Sequence, residues 1–553
     1  MQNAAIFFHP DAFDTSRARL LGRHSAGESF LRGFMRHADV DRFHFFNAGA
    51  RGQAGLDDLV SRIYPPTRPV RWIAPANRRG LADPGVLCMS SPQINREAWH
   101  RRFGGSRDYA ICGLTHTTAT STVMTILGDL LVSPTEDYDA LICTSKAVRD
   151  SVEHQLDGVR EHLAREFGPR RRGELQRVTI PLGINTEDFA VTPADRKAWR
   201  DRLEIPEDAV VALYVGRFNA REKMNPALMA IALEKAAVAT GRPIYWVNSG
   251  WMESGDDEHA FHDATRALCP SVQYRHVDGR GADVRFSIWS VADFFISFSD
   301  NIQETFGLTP VEAMAAGLPC VVTDWNGYKD TVRHGEDGFR VTTYAPGPGA
   351  GGDFAYWHAN DWLNYGNYVG GAAQYTAIDY GEAVQAISIL VQNADYRRKL
   401  GAQTKAQARA VFDWAAIIPQ YQALWAEQEA RRRAAAPETA PTDNPFRPDP
   451  FRLFGNYPTH HLREDDRLAL APDLTAEQAL ARLASPLAAA SAVNRPTLAE
   501  VAQVLAWLAG RPEASVADLL ATFPAARRPF VWRGLLWIAR FGAIIITPAD
   551  RNA

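Results

Sequence analysis

Two carboxylates are separated by seven intervening residues in the stretch Asn301-Ile-Gln-Glu304-Thr-Phe-Gly-Leu-Thr-Pro-Val-Glu312-Ala-Met-Ala-Ala-Gly317-Leu-Pro319. The pattern predicts Glu304 in a loop and Glu312 inside a helix. Between them, Gly307 lets a ligand approach the backbone and Pro310 suits the first turn of a helix. Free N–H groups at a helix start attract an anion, and flanking carboxylates accept hydrogen bonds from hydroxyls. A phosphate with sugar hydroxyls around it, as in a nucleotide-sugar, has this layout. A second constellation is Tyr214-Val-Gly216-Arg217-Phe-Asn-Ala-Arg221-Glu-Lys223-Met-Asn225. Here a strand runs into a glycine turn, and Arg217 and Lys223 precede a helix. At the carboxyl end of a parallel sheet such cations meet ligand in the crevice. A guanidinium fork and a mobile ammonium together can neutralise a diphosphate. The plain alternative for Arg217 and Lys223 is a pair of surface charges capping a loop. For Glu312 it is an exposed helix glutamate, against which the apolar neighbours Val311, Ala313 and Met314 weigh.

The elements that must position these residues follow from hydrophobic pattern. The first part of the chain alternates short apolar runs with amphipathic stretches, as in a parallel sheet covered by helices. Strands are expected at Ala5–Phe8, Arg42–Phe46, Tyr109–Cys112, Ala140–Cys143 and Val178–Ile180, with a helix capped at Thr144-Ser145 after the fourth. A second set is expected at Ala209–Val215, Ile244–Val247, Val272–Tyr274, Phe294–Ser297 and Cys320–Thr323. Two doubly wound domains in tandem are the simplest reading. The Gly-Pro-rich loop 345–352 leads into an aromatic segment with Tyr356, Trp357, Trp362, Tyr365 and Tyr368, read as core. Helical periodicity returns near Gly381 and ends at Arg431-Arg-Arg433. Residues 434–495 then read as linker and extension. Beyond them, Thr497-Leu-Ala-Glu500 is a capping box, Ser515-Val-Ala-Asp518 caps a second helix, Pro529–Phe541 forms a third, and Ala543–Thr547 is a strand. That small, mainly helical module at 496–553 is similar to a winged helix.

Composition sets limits on function. The 553 residues, 46% hydrophobic and 22% charged, hold material for about three domains. A net charge of −4 gives no bulk attraction for nucleic acid or anionic membranes. In the tail, Arg527, Arg528, Arg533 and Arg540 suggest DNA reading, but Phe530, Trp532, Leu535, Trp537 and Ile538 spoil a polar recognition face, so a protein-docking module is the expectation. The five cysteines lack paired spacing and read as buried thiols. Gly255-Asp256-Asp257-Glu258 has the residue types of a metal-binding run but reads as solvated. Met1-Gln-Asn-Ala-Ala-Ile-Phe-Phe-His9 has no basic start and too short an apolar run for a signal peptide, and no segment reaches membrane-spanning length. A cytoplasmic protein, with peripheral attachment to a membrane left open, is expected.

Taken together, Gly216-Arg217, Lys223 and the Glu304 to Glu312 stretch resemble the retaining glycosyltransferases of family 4, the group 1 glycosyl transferases. The resemblance extends to Val291–Ser299, Gly317–Asp324, Pro181–Phe189 and Ala147, spanning roughly residues 1 to 430. It implies an α/β GT-B fold, two Rossmann-like domains facing a cleft. These are an acceptor domain at 1–190, a nucleotide-sugar donor domain at 191–405 and a helix at 406–433 returning to the first. It implies that Arg217 and Lys223 hold the donor diphosphate, that Glu304 sits by the transferred sugar, and that Glu312 takes the ribose hydroxyls. Gly216 and the backbone of Phe306, Gly307, Leu308 and Thr309 would meet donor sugar and phosphate. Gly22-Arg-His-Ser-Ala-Gly27-Glu28 resembles the family's phosphate-approaching loop, and His116, in Thr115-His116-Thr-Thr118, its acceptor-side histidine.

On that resemblance the activity is transfer of a hexosyl-type group from a nucleotide-diphosphate sugar, with retention of configuration, to an acceptor that is a glycan, a lipid-linked molecule or a small molecule. No cofactor or metal is expected, because protein cations stabilise the leaving group. Two alternatives stay open. One is a sugar-nucleotide epimerase of the same architecture. The other is a non-catalytic scaffold whose tail recruits partners or DNA.

Overall fold

The computed structural model describes residues 2–14, 22–49, 52–168, 174–252, 255–437, 443–489 and 495–549; the side chains of 22–24, 255–257 and 282, including the acidic pair Asp256 and Asp257, lie outside the described residues. Residues 1–443 form one compact unit and 444–553 a second.

The first unit holds two parallel sheets. The first contains β1 (Ala5–Phe8), β2 (Phe43–Asn47), β3 (Val70–Ile73), β4 (Val86–Met89), β5 (Ala110–Thr115), β6 (Ala140–Cys143) and β7 (Gln176–Thr179), in the order β3-β2-β1-β4-β5-β6-β7. The second contains β8 (Val210–Val215), β9 (Ile244–Gly250), β10 (Gln273–Asp278), β11 (Phe294–Ser297), β12 (Cys320–Thr323) and β13 (Gly338–Val341), in the order β10-β9-β8-β11-β12-β13. Each sheet reverses direction once, between β1 and β4 and between β8 and β11. In open α/β sheets the crevice outside the strand ends at that reversal is where ligands bind. β6, β11 and β12 are buried along their whole length, which is why they read in sequence as unbroken apolar runs.

Three strands of these two sheets escaped the sequence reading. β3 is an edge strand with only Ile73 buried, so it shows no apolar run. β4 is four buried residues entered from Gly85 at φ 76°, too short for a periodic signal. In β13 the residue Gly338 has φ 144°, and a Cβ there would fall 1.9 Å from the Cys320 carbonyl oxygen, so close strand approach replaces apolar pattern.

The chain crosses between the sheets twice at one place. Ile184 donates its N–H to the Phe412 carbonyl at 2.8 Å, and Trp414 donates its own to Ile184 at 3.1 Å. The helix Trp414–Ala434 then buries Trp414, Ile417, Ile418, Tyr421 and Trp425 in the core under the first sheet, against Phe34 and Leu31 of the helix Gly22–His37. The Gln428 amide donates to the carbonyls of Ile111 and Tyr138, each at 3.0 Å. Trp414 sets the spacing of this junction: a Cβ on Gly33 or Gly183 would fall 2.3 Å or 2.6 Å from its indole.

Two readings are corrected here. The aromatic segment forms the helices Gly352–Ala359 and Tyr365–Ala373, and the first has no buried residue. Tyr356 and Trp362 are 57% and 66% exposed, so this segment is not core. The proposed phosphate loop around Gly27 is instead part of the helix Gly22–His37. A Cβ on Gly27 would lie 2.1 Å from the Ala12 carbonyl oxygen, so the glycine serves the contact with the short helix Pro10–Phe13.

In the second unit the strand Arg467–Leu470 lies between Ala514–Ser515 and Ile544–Thr547 in an antiparallel sheet. The helices Leu498–Ala509 and Val516–Ala521 open as the caps predict, with Thr497 and Glu500 forming a capping box and Ser515 accepting from the Asp518 N–H, and the third helix runs Arg528–Arg540 without a side-chain cap. The segment 434–495 is more than a linker. Leu468, Ala479 and Leu483 fill the same core as Leu505, Leu519 and Ile538, because the three helices alone leave an apolar face that this strand and helix cover.

Replacing Trp414 with alanine removes the residue that sets the crossing and should cost about 3–5 kcal/mol in urea unfolding. Trp357→Ala, in the exposed aromatic segment, should change stability by less than about 0.5 kcal/mol. A loss of similar size in the two variants would contradict this placement.

Candidate active site

At the end of β8, Gly216 donates its N–H to the Ser249 carbonyl at 3.0 Å. A Cβ on Gly250 would sit 1.9 Å from the Gly216 carbonyl oxygen, so small residues let the ends of β8 and β9 close together. The chain then turns at Asn219, whose side-chain oxygen accepts the N–H groups of Arg221 and Glu222 at 3.0 and 2.9 Å, an Asx-type turn. That turn delivers Lys223 to the neighbouring strand, where its Nζ donates to Glu304 Oε2 at 2.6 Å. Arg217 stays partly exposed beside it, 3.8 Å from Glu222.

Glu304 is held from the β11 side. Asn301 is fully buried; its side-chain N–H donates to the Arg221 carbonyl at 2.6 Å and its side-chain oxygen accepts the Gln303 N–H at 3.0 Å. The Glu304 N–H returns to the Asn301 carbonyl at 3.2 Å. Asn301 therefore joins the two loops that carry Lys223 and Glu304, a role invisible in sequence because its partner is backbone 80 residues away. Gly307 follows with φ 90° and precedes the helix Leu308–Ala315. A Cβ there would strike the Tyr328 ring at 2.2 Å. Leu308 and Thr309 at that helix start line the same space as Glu304, and the first N–H groups of a helix lack partners within it.

The first sheet closes the other side. Ser145, which caps the helix Lys146–Phe167 after β6, donates its hydroxyl to the Thr305 carbonyl at 2.7 Å. The Thr305 hydroxyl donates to the His116 carbonyl at 3.1 Å, so His116, just past β5, meets the Glu304 loop through its backbone. Ser145 was legible in sequence as a helix cap, but its bond to Thr305, 160 residues away, carried no local signal. A cleft of about 1120 Å³ results. His116, Gly216, Arg217, Lys223, Glu304, Phe306, Gly307, Leu308, Thr309, Glu312 and Gly27 all line it, together with Arg280 and Arg285, which the sequence reading missed. The strand ends of both sheets bring them to one space.

Electrostatics separates the two glutamates. Burial pushes the Glu304 carboxyl up, but the Lys223 ammonium and its hydrogen bond outweigh this and hold the group below its ordinary value. Glu304 is therefore an ionised acceptor at neutral pH. Burial without a bonded cation raises Glu312 from 4.5 to about 7, with Arg285 and Lys223 pulling back only in part. An acid with a raised folded pKa helps folding most below its unfolded value and loses that contribution as pH rises through the folded one. Glu312→Gln keeps the shape and cannot ionise. Its melting temperature should rise relative to the parent by more at pH 8 than at pH 5; an equal difference at both would refute this environment for Glu312.

Comparison with known proteins places this geometry. Residues 195–347 match the sequence family described as glycosyl transferases group 1. The chain is 32% identical over 185 residues to the D-inositol 3-phosphate glycosyltransferase of Streptomyces scabiei (strain 87.22), covering 31% of this chain and 39% of that protein. It is 27% identical over 233 residues to the protein of the same name from Nocardioides sp. (strain ATCC BAA-499 / JS614), covering 40% and 42%. The chain thus spans less than half the length of these curated relatives. Among solved structures, Anabaena Alr3699/HepE in complex with UDP superposes with a TM-score of 0.50 at 15% identity, over 76% of this chain and 99% of that one. The two facing Rossmann-like domains are the GT-B fold. Around the Lys223–Glu304 pair, on that fold, the chain is similar over residues 195–347 to the glycosyl transferases group 1 family.

Proposed function

We propose that the protein is a glycosyltransferase, moving a sugar from a nucleoside-diphosphate sugar to an acceptor bound on the side of the first sheet. The observation that carries this reading is the Lys223–Glu304 pair, 2.6 Å apart, with Arg217 beside it and the start of the helix Leu308–Ala315 facing the same cleft. In this reading Arg217 and Lys223 take the donor diphosphate, aided by the N–H groups after Gly307. Gly216 lets the phosphate approach the backbone. Glu304, ionised by Lys223, accepts hydroxyls of the transferred sugar, and Glu312 accepts those of the ribose. Gly27 lines the acceptor half of the cleft as a helix residue.

The step breaks the bond between the anomeric carbon and the diphosphate oxygen, whose electron pair leaves with the diphosphate. The acceptor oxygen bonds to the same carbon. Transition-state charge grows on the leaving phosphate, where fixed cations act most strongly. Because arginine and lysine supply that countercharge, we propose transfer without a catalytic metal. Retention of configuration is proposed on the resemblance to the retaining family: the acceptor enters from the face the diphosphate leaves, and a phosphate oxygen takes its proton. In this reading His116, which lines the cleft, hydrogen-bonds the acceptor. The fold-sharing Anabaena protein is in complex with UDP, so uridine diphosphate sugars are the first donors to test.

Incubation of the full chain with UDP-glucose and a panel of glycan and polyol acceptors should release UDP. Glu304→Gln and Lys223→Gln should each lower turnover by about 10²–10³-fold, with near-ultraviolet circular dichroism unchanged. Full activity in either variant would remove that residue from the site. Altered sugar-nucleotide formed without an acceptor would point to epimerisation instead.

A further inference from the structure

Outside the cleft, the helix Gly255–Ala267 and strand β10 bring Glu258, His262 and His276 together at the edge of the second sheet. The acidic run at 255–258 reads in sequence as solvated, yet the Glu258 side chain is only 21% exposed and faces two histidines. His276 Nε2 lies 3.1 Å from Glu258 Oε1, and His262 Nε2 lies 3.7 Å from the same oxygen. The two imidazole rings are 4.2 Å apart between centroids. One ligand atom of each residue falls within 4.8 Å of the other two. Glu258 and His262, four apart, share a helix face, and His276 shares a strand face with Tyr274, which bonds His262.

Two observations distinguish this cluster from packed core histidines. Both Nε2 atoms are buried, and among the described residues neither makes a hydrogen bond of good geometry; each has only its ion-pair approach to Glu258. Leaving two buried ring nitrogens unpaired is costly, and a shared cation would satisfy both. The other ring nitrogen of His262, Nδ1, meets the Tyr274 hydroxyl. In the tautomer whose Nδ1–H donates to that oxygen, the Nε2 lone pair is free to ligate a metal ion. Such an outer hydrogen bond is how metal-ligating histidines are oriented. Phe218 packs against both rings, at 5.0 and 5.3 Å, and holds their planes.

We propose that Glu258, His262 and His276 bind one divalent transition-metal ion of the zinc class. Two imidazoles and one carboxylate suit zinc rather than magnesium or calcium. Tetrahedral ligation at about 2.0–2.1 Å needs ligand atoms about 3.3 Å apart, and the three atoms require only small side-chain adjustment to reach it. Glu258 and His276 are 21% and 28% exposed, which gives the ion entry and leaves a fourth position for water. None of the three residues lines the cleft, so the ion is structural. Phe218, directly after Arg217, donates its N–H to the Trp251 carbonyl at 3.0 Å, and an ion fixing the rings beneath Phe218 would stiffen the turn that carries Arg217. The proposal stands apart from sugar transfer.

The test uses the full chain without a histidine tag, stripped with chelator and dialysed against Zn²⁺ or Co²⁺. Elemental analysis should find one Zn²⁺ per chain, and Co²⁺ should give the visible absorption of a four-coordinate site. Zn²⁺ should also raise the melting temperature. Glu258→Gln and His276→Gln, both at partly exposed positions, should lower affinity at least tenfold while the fold is kept, as judged by circular dichroism; His262→Gln should do the same. Fewer than about 0.1 Zn²⁺ per parent chain, or full affinity in both Glu258→Gln and His276→Gln, would overturn the proposal.

Discussion

The ion pair between Lys223 and Glu304 is the constraint on which the rest of the cleft depends. A carboxylate buried this far from water is expensive unless a cation meets it, and removing either partner leaves an uncompensated charge. The pair can form only if the loop after β8 and the loop after β11 lie side by side. These strands are adjacent because the sheet reverses direction between them. The Asn219 turn, the Asn301 bridge to Arg221 and the close approach of Gly216 to Gly250 then fix the loops to within hydrogen-bonding distance. Glu312 lies in the same region without a bonded cation, and its carboxyl rises to about 7. Two glutamates eight positions apart thus acquire opposite acid strengths from a single lysine.

A second constraint is that one chain must build both walls of the cleft. The backbone bonds of Ile184 with Phe412 and Trp414 put the outgoing and returning strands of the crossing in register. The helix Trp414–Ala434 then completes the core of the first sheet with residues from the far end of the unit. On the opposite rim, Ser145 and the His116 carbonyl bind Thr305, the residue next to Glu304. Packing of the first sheet therefore bears on the position of the Glu304 loop, and core substitutions near Trp414 act on the site through geometry alone.

Much of this was legible in the sequence where one residue type answers one local physical need. Strands buried on both faces had to be apolar throughout, so Ala140–Cys143, Phe294–Ser297 and Cys320–Thr323 were bounded correctly. Caps have local signatures, and Thr497 with Glu500 formed the box that spacing implied. The failures share another cause. Gly27 looked like a loop glycine, but its reason is the backbone of Ala12 against a helix. The residues around Trp357 looked like core because they are aromatic, and nothing in the chain announces that their helix faces solvent. The strand at 467–470 was hidden because its partners lie 44 and more residues downstream.

The sequence by itself determined the alternation of elements, the two sheets and the charged residues at the ends of β8 and β11. Residue type and short-range spacing are enough for these, since hydrophobic period and capping chemistry are local. Tertiary structure alone decided which charges meet. It paired Lys223 with Glu304 rather than with Glu312, brought His116 to Thr305, and set Glu258 against His262 and His276. Electrostatic and hydrogen-bond energies fall steeply with distance and depend on burial, and for residues far apart in the chain both quantities exist only after folding.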